Sequence, residues 1–130
     1  MPQLIFLLIV TIIVLGLIVL LFRKQKKLSL QEFQRFSTTI NKTKSLDPAH
    51  SVLESHKIFV KAVSKVYSGE TAAKTVAKAQ KQFPNKGKIW HFHGLRNRIA
   101  HETGVKITHA QAENARKEFV RALKSISKNS

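Results

Sequence analysis

One uninterrupted apolar stretch constrains this chain more than any other feature. Residues 4–22 contain no charged side chain, and Leu, Ile and Val dominate them. As a helix rising 1.5 Å per residue, the stretch is about 28 Å long, which matches the hydrocarbon thickness of a bilayer. It therefore predicts a transmembrane helix, so that the protein meets the membrane through a single span.

Basic residues follow this stretch at once. Arg23, Lys24, Lys26 and Lys27 come directly after it, whereas only the α-amino group precedes it. The positive-inside rule then predicts a single-pass protein of the cell membrane, with the N-terminus outside and the C-terminal domain cytoplasmic. A cleaved signal peptide is the alternative. It requires a basic segment before a shorter apolar core and a small-residue cleavage site, and the sequence has none of these.

The charge of the chain lies beyond this anchor. The 23 Lys and Arg residues outnumber seven acidic residues and give a formal net charge of +16. This excess favours two kinds of anionic partner, the lipid head groups of the inner leaflet and the phosphates of RNA or DNA. The candidate residues for either partner are Arg23, Lys24, Lys26, Lys27 and Arg98. Because the sequence has no cysteine, it excludes disulfides and Cys-based zinc sites and suits a reducing compartment.

The rest of the chain carries helical patterns. Ser29 and Glu32 form a capping-box pattern ahead of an amphipathic segment, and Asp47-Pro48 is a strong helix start. Thr108 and Gln111 form a second capping-box pattern, which opens a last helix whose inner residues should be Ala112, Ala115, Phe119, Ala122 and Ile126. We therefore expect an all-α fold. The expected parts are an anchor with a basic segment (1–27), an amphipathic connecting helix and linker (28–46), and a small antiparallel four-helix bundle (47–130). Within the bundle, the Ala- and Lys-rich segment from Glu70 to Phe83 should turn Ala72, Ala73, Val76, Ala77 and Phe83 inward.

The third helix of the expected bundle carries a polar motif. Residues 90–102 read W-H-F-H-G-L-R-N-R-I-A-H-E. The apolar stripe of this helix consists of Ile89, Phe92, Leu95 and Ile99. Arg96 lies within or beside that stripe, where a guanidinium is costly unless an anion or a group of carbonyls meets it. Asn97 and His101 are one helical turn apart, and Arg96 lies about 140° around the axis from His101.

The phrase L-R-N-R-I-A-H-E, from Leu95 to Glu102, resembles the HEPN superfamily of small helical bundles. The signature of that superfamily is an Arg followed directly by a polar residue, with a His four to six residues after the Arg. The order of segments from Ser55 to the Trp90 helix is also similar to small HEPN-like domains. The resemblance covers about residues 47–126.

This resemblance implies a homodimer whose two motif helices face each other. Active HEPN members are metal-independent ribonucleases, in which the RNA 2′-hydroxyl attacks its own phosphodiester. Carried onto this chain, Arg96 would hold the scissile phosphate and His101 would contact or deprotonate the hydroxyl, while Asn97 would orient His101 or the phosphate. No cofactor is implied. Other HEPN-like domains cleave nothing and serve as nucleotide-binding or dimerisation modules.

Each motif residue also has a structural interpretation. Arg96 could pair with Glu54 or Glu102, His101 could interact with the dipole at a helix C-terminus, and Asn97 could cap or cross-link helices. His56 lies between Val52 and Phe59 on an apolar face, which predicts a buried histidine with its hydrogen bonds satisfied. Trp90 is expected to anchor the core or a dimer.

The spacing of the histidines argues against a metal site. His91 and His93 point to opposite sides of a helix, and His93 and His101 are two turns apart, whereas zinc ligands on a helix require a spacing of three or four.

Two functions from different classes therefore stay open. The first is a metal-independent ribonuclease or RNA-binding effector held at the inner membrane face, favoured by the motif and its basic surroundings. The alternative is a non-catalytic, membrane-anchored dimerisation or interaction module. The Ala-rich second helix and the lack of a recognisable substrate pocket in the sequence favour that alternative.

Overall fold

A computed structural model describes residues 1–21 and 26–128 of the chain. The α-helices of these residues are α1 (Pro2–Leu21), α2 (Leu30–Lys42), α3 (Pro48–Ser64), α4 (Ala72–Ala79), α5 (Lys86–His101) and α6 (His109–Ser125). Short 3₁₀ turns, Thr43–Ser45 and Gln80–Gln82, follow α2 and α4. The described residues contain no β-strand, which confirms the predicted all-α fold.

Helix α1 is apolar on every side. It is 20 residues long, and none of its side chains is buried against the rest of the chain. Its one hydroxyl, that of Thr11, donates to the Leu7 carbonyl within the helix at 2.8 Å. By length and composition, α1 is able to cross a membrane.

Local side chains set where the other helices begin. The Ser29 hydroxyl accepts from the Glu32 N–H at 3.1 Å, and the Glu32 carboxylate accepts from the Ser29 N–H at 3.3 Å. Thr108 and Gln111 form the same reciprocal pair at the start of α6. These capping boxes satisfy backbone donors that a helix N-terminus leaves unpaired. They also fix the first turns of α2 and α6.

Helix α3 is the central element of the bundle, because it packs against α2, α4, α5 and α6. Phe59 of α3 stacks on Phe119 of α6, with ring centroids 4.8 Å apart. Both side chains are fully buried, and Val52, Val63, Ala115 and Ala122 fill the space along the same contact.

Helix α2 belongs to the bundle, whereas the sequence predicted a connecting helix outside it. Phe36 and Ile40 are buried, and α2 packs against both α3 and α6. Just before it, the Leu28 N–H donates to the Ile126 carbonyl at 2.8 Å, and the Lys128 N–H donates to the Leu28 carbonyl at 2.9 Å. The described bundle therefore has five helices rather than the expected four, because the apolar face of α2 needs a partner and finds it there.

Helix α4 is shorter than expected and buries only part of the predicted inner set. Val76 and, after the helix, Phe83 are buried as expected. The Thr71 hydroxyl accepts from the Lys74 N–H, so the helix begins at Ala72. Its buried residues are Thr75, Val76 and Ala79, while Ala73 and Ala77 are exposed. Alanine carries too little apolar area to choose a face, so the larger Val76 decides the rotation of the helix.

Candidate functional site

Arg96 lies on α5 at the edge of an open depression between α3 and α5. The depression has a volume of about 370 Å³. It is lined by Leu53, Glu54, His56, Lys57, Val60, Ala72, Arg96 and Ala100. The side chain of Arg96 is half-buried, and its Nη1 donates to the Asn97 Oδ1 at 3.1 Å. The structure thus brings the first two motif residues together.

No carboxylate neutralises Arg96 within the described residues. No carboxylate oxygen of the described residues lies within 4.0 Å of a nitrogen of its guanidinium. Glu102 pairs instead with Arg98, whose Nε lies 3.4 Å from the Glu102 carboxylate. Glu54 lines the same depression as Arg96 without pairing with it. A half-buried guanidinium without an ion-pair partner can bind an anionic ligand by donating charge-assisted hydrogen bonds to it.

His101 is the last residue of α5 and is exposed. The helix ends there, and the Glu102 N–H donates to the Arg98 carbonyl at 2.8 Å. Since residues five apart on a helix diverge by about 140°, the His101 ring lies on a different face from Arg96. In the part of the chain that is described, its imidazole forms no hydrogen bond with Arg96 or Asn97. One copy of the chain therefore does not assemble all three motif residues.

A buried histidine pair lies beside Arg96, and the sequence predicted only half of it. His56 is 3% exposed, as expected, and its Nε2 lies 2.9 Å from the Nδ1 of His93. Trp90 packs its edge against His93, and its Nε1 donates to the Gln80 Oε1 at 2.9 Å. His93 lies three residues before Arg96 and four before Asn97, so all three share one side of α5. This spacing is the signal in the sequence that could have assigned His93 to the motif.

Burial and the Arg96 charge hold both histidines neutral. Burial is the main cause that lowers the pKa of His56 to about 3, and positive charge at His93 and Arg96 lowers it further. Burial, followed by the Arg96 charge, also lowers the pKa of His93. Two neutral imidazoles share one N–H···N hydrogen bond, with one ring as donor and the other as acceptor. Arg96 is therefore the charged member of this cluster at neutral pH.

The basic residues proposed for anionic ligands are dispersed. Arg23 and Lys24 lie outside the described residues. Lys26 and Lys27 are exposed just before Leu28, at the end of the bundle opposite the start of α3. Arg98 is exposed and is paired with Glu102.

Among residues 1–21 and 26–128, no group of three His, Asp or Glu side chains is arranged to hold a metal ion. No family model matches the chain, and comparisons with curated proteins and with solved structures found no match either.

Proposed function

We propose that this protein is a membrane-anchored, HEPN-like ribonuclease that cleaves RNA without a metal ion. The observation that carries the proposal is the state of Arg96, a half-buried guanidinium held by Asn97 and left without a carboxylate among the described residues. The motif L-R-N-R-I-A-H-E and the net charge of +16 also support RNA as the substrate.

The proposed reaction uses the three motif residues in separate roles. Arg96 binds non-bridging oxygens of the scissile phosphate and stabilises the charge that develops there. His101 takes the proton of the RNA 2′-hydroxyl, whose oxygen attacks phosphorus. The bond from phosphorus to the 5′-oxygen breaks, and that oxygen takes a proton from the imidazolium. The products are a 2′,3′-cyclic phosphate and a 5′-hydroxyl.

A dimer would supply the geometry that one copy lacks. The outer face of α5 forms a shallow surface lined by Trp90, His91, Gly94, Leu95 and Arg98. His101 follows Arg98 on this side, since it lies three residues further along the helix. A Cβ added at Gly94 would have no atom within 4 Å, so another helix can approach closely at this point. Arg96 leaves the other side of α5 from Gly94, but its guanidinium donates to Asn97, which lies one helical turn beyond Gly94 and next to this surface. We propose that two α5 helices meet here, with the Arg96 guanidinium of one copy reaching past Asn97 to His101 of the other.

The test is cleavage of labelled RNA by the full-length protein in nanodiscs. We expect cyclic phosphate ends and unchanged activity in EDTA. Arg96→Ala and His101→Ala should each reduce the rate by about 10²-fold or more. The matched control is His109→Ala, which removes an exposed histidine outside α5 and should keep activity. Mixing the two inactive variants should restore part of the activity, because a mixed dimer contains one intact Arg96–His101 pair.

The position of His101 also favours a second candidate, a non-catalytic anchored dimerisation module. The His101 ring forms no hydrogen bond with Arg96 in a single copy. A module that catalyses no reaction does not need these two side chains to meet. A stable dimer that leaves every tested RNA intact, in which Arg96→Ala and His101→Ala alter neither RNA binding nor assembly, would select this candidate over the ribonuclease.

For the location, we propose a retained anchor with the bundle in the cytoplasm. The apolar character of α1 and the lysines that follow it support this orientation. Because the chain has no cysteine, Ser45→Cys introduces a single thiol on an exposed residue of the bundle. We expect this thiol to resist an impermeant maleimide in intact cells and to react after lysis. Labelling in intact cells would reverse the proposed orientation.

A further inference from the structure

The hairpin of α2 and α3 carries a second depression, which we call the basal groove. Its volume is about 400 Å³, and it is lined by Arg35, Phe36, Thr39, Ile58, Lys61 and Lys65. Arg35 lies over the Phe36 ring, with its guanidinium carbon 5.0 Å from the ring centroid. Among the described residues, none of the three cations is in an ion pair. The groove is therefore an apolar floor edged by unneutralised positive charge.

Backbone hydrogen bonds keep one end of the bundle close to the anchor. Leu28 is bonded through its N–H to the Ile126 carbonyl and through its carbonyl to the Lys128 N–H. It follows Leu21, the last residue of α1, by seven positions. Seven extended residues reach at most about 25 Å. The start of α2 and the end of α6 must therefore stay within that distance of α1.

The basal groove lies toward this end. Only residues 43–47 join α2 to α3, so the two helices run antiparallel and the end of α3 lies beside the start of α2. Electrostatics agree with this placement. Hydrogen bonds from the Ser29 backbone and hydroxyl lower the pKa of Glu32, and the nearby charges of Lys65 and Arg35 lower it further.

Other side chains at this end suit an anionic membrane surface. Lys26 and Lys27 are exposed just before Leu28, and Lys124 and Lys128 are exposed at the end of α6. Leu30, in the first turn of α2, is a large apolar side chain that is 43% exposed. Basic residues close to a bilayer are attracted to acidic lipids, and an apolar side chain between them can enter the interface.

We propose that the basal groove binds the head groups of anionic phospholipids in the same membrane that α1 crosses. Lipid is favoured over RNA because the tether through Leu28 keeps this end of the bundle within about 25 Å of α1, and so within reach of head groups. Docking leaves the Arg96 depression free, since that depression lies between α3 and α5. The proposal rests on α1 being a retained anchor, and it does not require ribonuclease activity.

Two matched serines report on this contact. Ser64 and Ser45 are both exposed, and each hydroxyl donates to the carbonyl three residues before it. Ser64 is the last residue of α3, whereas Ser45 lies in the 3₁₀ turn before α3 begins, and the helix between them is about 25 Å long. In the cysteine-free chain, Ser64→Cys or Ser45→Cys accepts one fluorophore. The full-length protein is placed in nanodiscs that carry a head-group quencher, made from phosphatidylcholine alone or mixed with phosphatidylglycerol.

We expect stronger quenching at Ser64→Cys with phosphatidylglycerol than without it, and no such change at Ser45→Cys. Changing Arg35, Lys61 and Lys65 to Gln should abolish the response, since each cation near an anionic surface contributes about fivefold to binding. The control variant changes Lys44, Lys106 and Lys117 to Gln, which removes the same charge from exposed sites elsewhere and should keep the response. Circular dichroism of each variant checks that the bundle is folded.

Three outcomes would overturn the proposal: equal quenching in both lipids, a response that survives loss of the three cations, or a response that appears only when RNA is added. The third would assign the groove to RNA. Flotation of the nanodiscs tests the anchor separately, and RNA cleavage in phosphatidylcholine nanodiscs tests the ribonuclease without the anionic lipid.

Discussion

The His56 Nε2 and the His93 Nδ1 are 2.9 Å apart inside the bundle, although 37 residues separate them in the sequence. This hydrogen bond joins α3 to α5 one helical turn before Arg96. Because burial and, to a lesser extent, the Arg96 charge lower the pKa of both rings, the bond is made by neutral imidazoles. The stability of the bundle is thereby coupled to pH through the same residues that line the candidate site.

We expect the protein to lose stability as the pH falls below about 6.5. In the unfolded chain a histidine has its ordinary pKa of about 6.5, whereas burial lowers the pKa of His56 in the folded state to about 3. Between these values the unfolded state binds more protons, so acid favours unfolding, by up to about 1.4 kcal/mol per pH unit for each such histidine. Thermal unfolding of the full-length protein at a series of pH values measures this change of the unfolding free energy per pH unit, which we call the acid slope.

The control for the acid slope is His109→Ala, because His109 is exposed and should not change it. His56→Leu alone leaves a buried His93 nitrogen without its partner, at a cost of about 1–3 kcal/mol. Replacing both histidines by Leu should flatten the slope between pH 6.5 and 4. A double variant as acid-sensitive as the native chain would show that other groups control the slope.

Removal of Arg96 should have a small effect on stability and a visible effect on the acid slope. A buried ion pair broken by substitution costs about 3–5 kcal/mol. Since no carboxylate pairs with Arg96 among the described residues, we expect Arg96→Gln to change the unfolding free energy at pH 7 by less than about 1 kcal/mol. It should also make the acid slope shallower, because the Arg96 charge lowers the pKa of both histidines. A large loss of stability at pH 7 would assign Arg96 a structural role.

The sequence predicted the elements with strong local signals and missed contacts between distant residues. The Ser29 and Thr108 capping boxes and the Asp47-Pro48 start depend on neighbouring residues, and all three begin helices as predicted. The regular stripe of α6, from Ala112 to Ile126, is also buried as expected. By contrast, the His56–His93 bond and the Leu28 contact with Ile126 join segments far apart in the chain. No periodicity within one segment carries that information.

A fragment that begins at Asp47 should fail to fold cooperatively, although the sequence placed the domain boundary there. It lacks Leu28, Phe36 and Ile40, which are at most 5% exposed. Burial of each such side chain stabilises by about 1.5–3 kcal/mol, and a whole domain is stable by only about 5–15 kcal/mol. A fragment of residues 26–130 should retain a cooperative thermal transition by circular dichroism. A cooperative transition in the shorter fragment would show that α2 is dispensable.

Gly94 offers the sharpest test of the proposed dimer, because its substitution separates assembly from folding. A Cβ at Gly94 meets no atom within 4 Å in one copy, so a side chain can leave α5 there without a clash at its first atom. Gly94→Ala should stabilise the bundle by about 0.5–1 kcal/mol through helix propensity. Gly94→Trp should leave the thermal transition of the monomer in place and prevent two α5 helices from meeting. Sedimentation equilibrium of the detergent-solubilised full chain measures the dimer directly.

Gly87 is the matched control, since it lies in the first turn of α5 and also has open space around an added Cβ. It is two helical turns from Gly94 and outside the surface lined by Trp90 and Arg98. Gly87→Trp should therefore keep the dimer and the RNA cleavage that depends on it, while Gly94→Trp loses both together. A Gly94→Trp protein that stays dimeric would place the interface elsewhere. One that is monomeric but still cleaves RNA would show that a single copy contains the whole site, so that His101 reaches the phosphate held by its own Arg96.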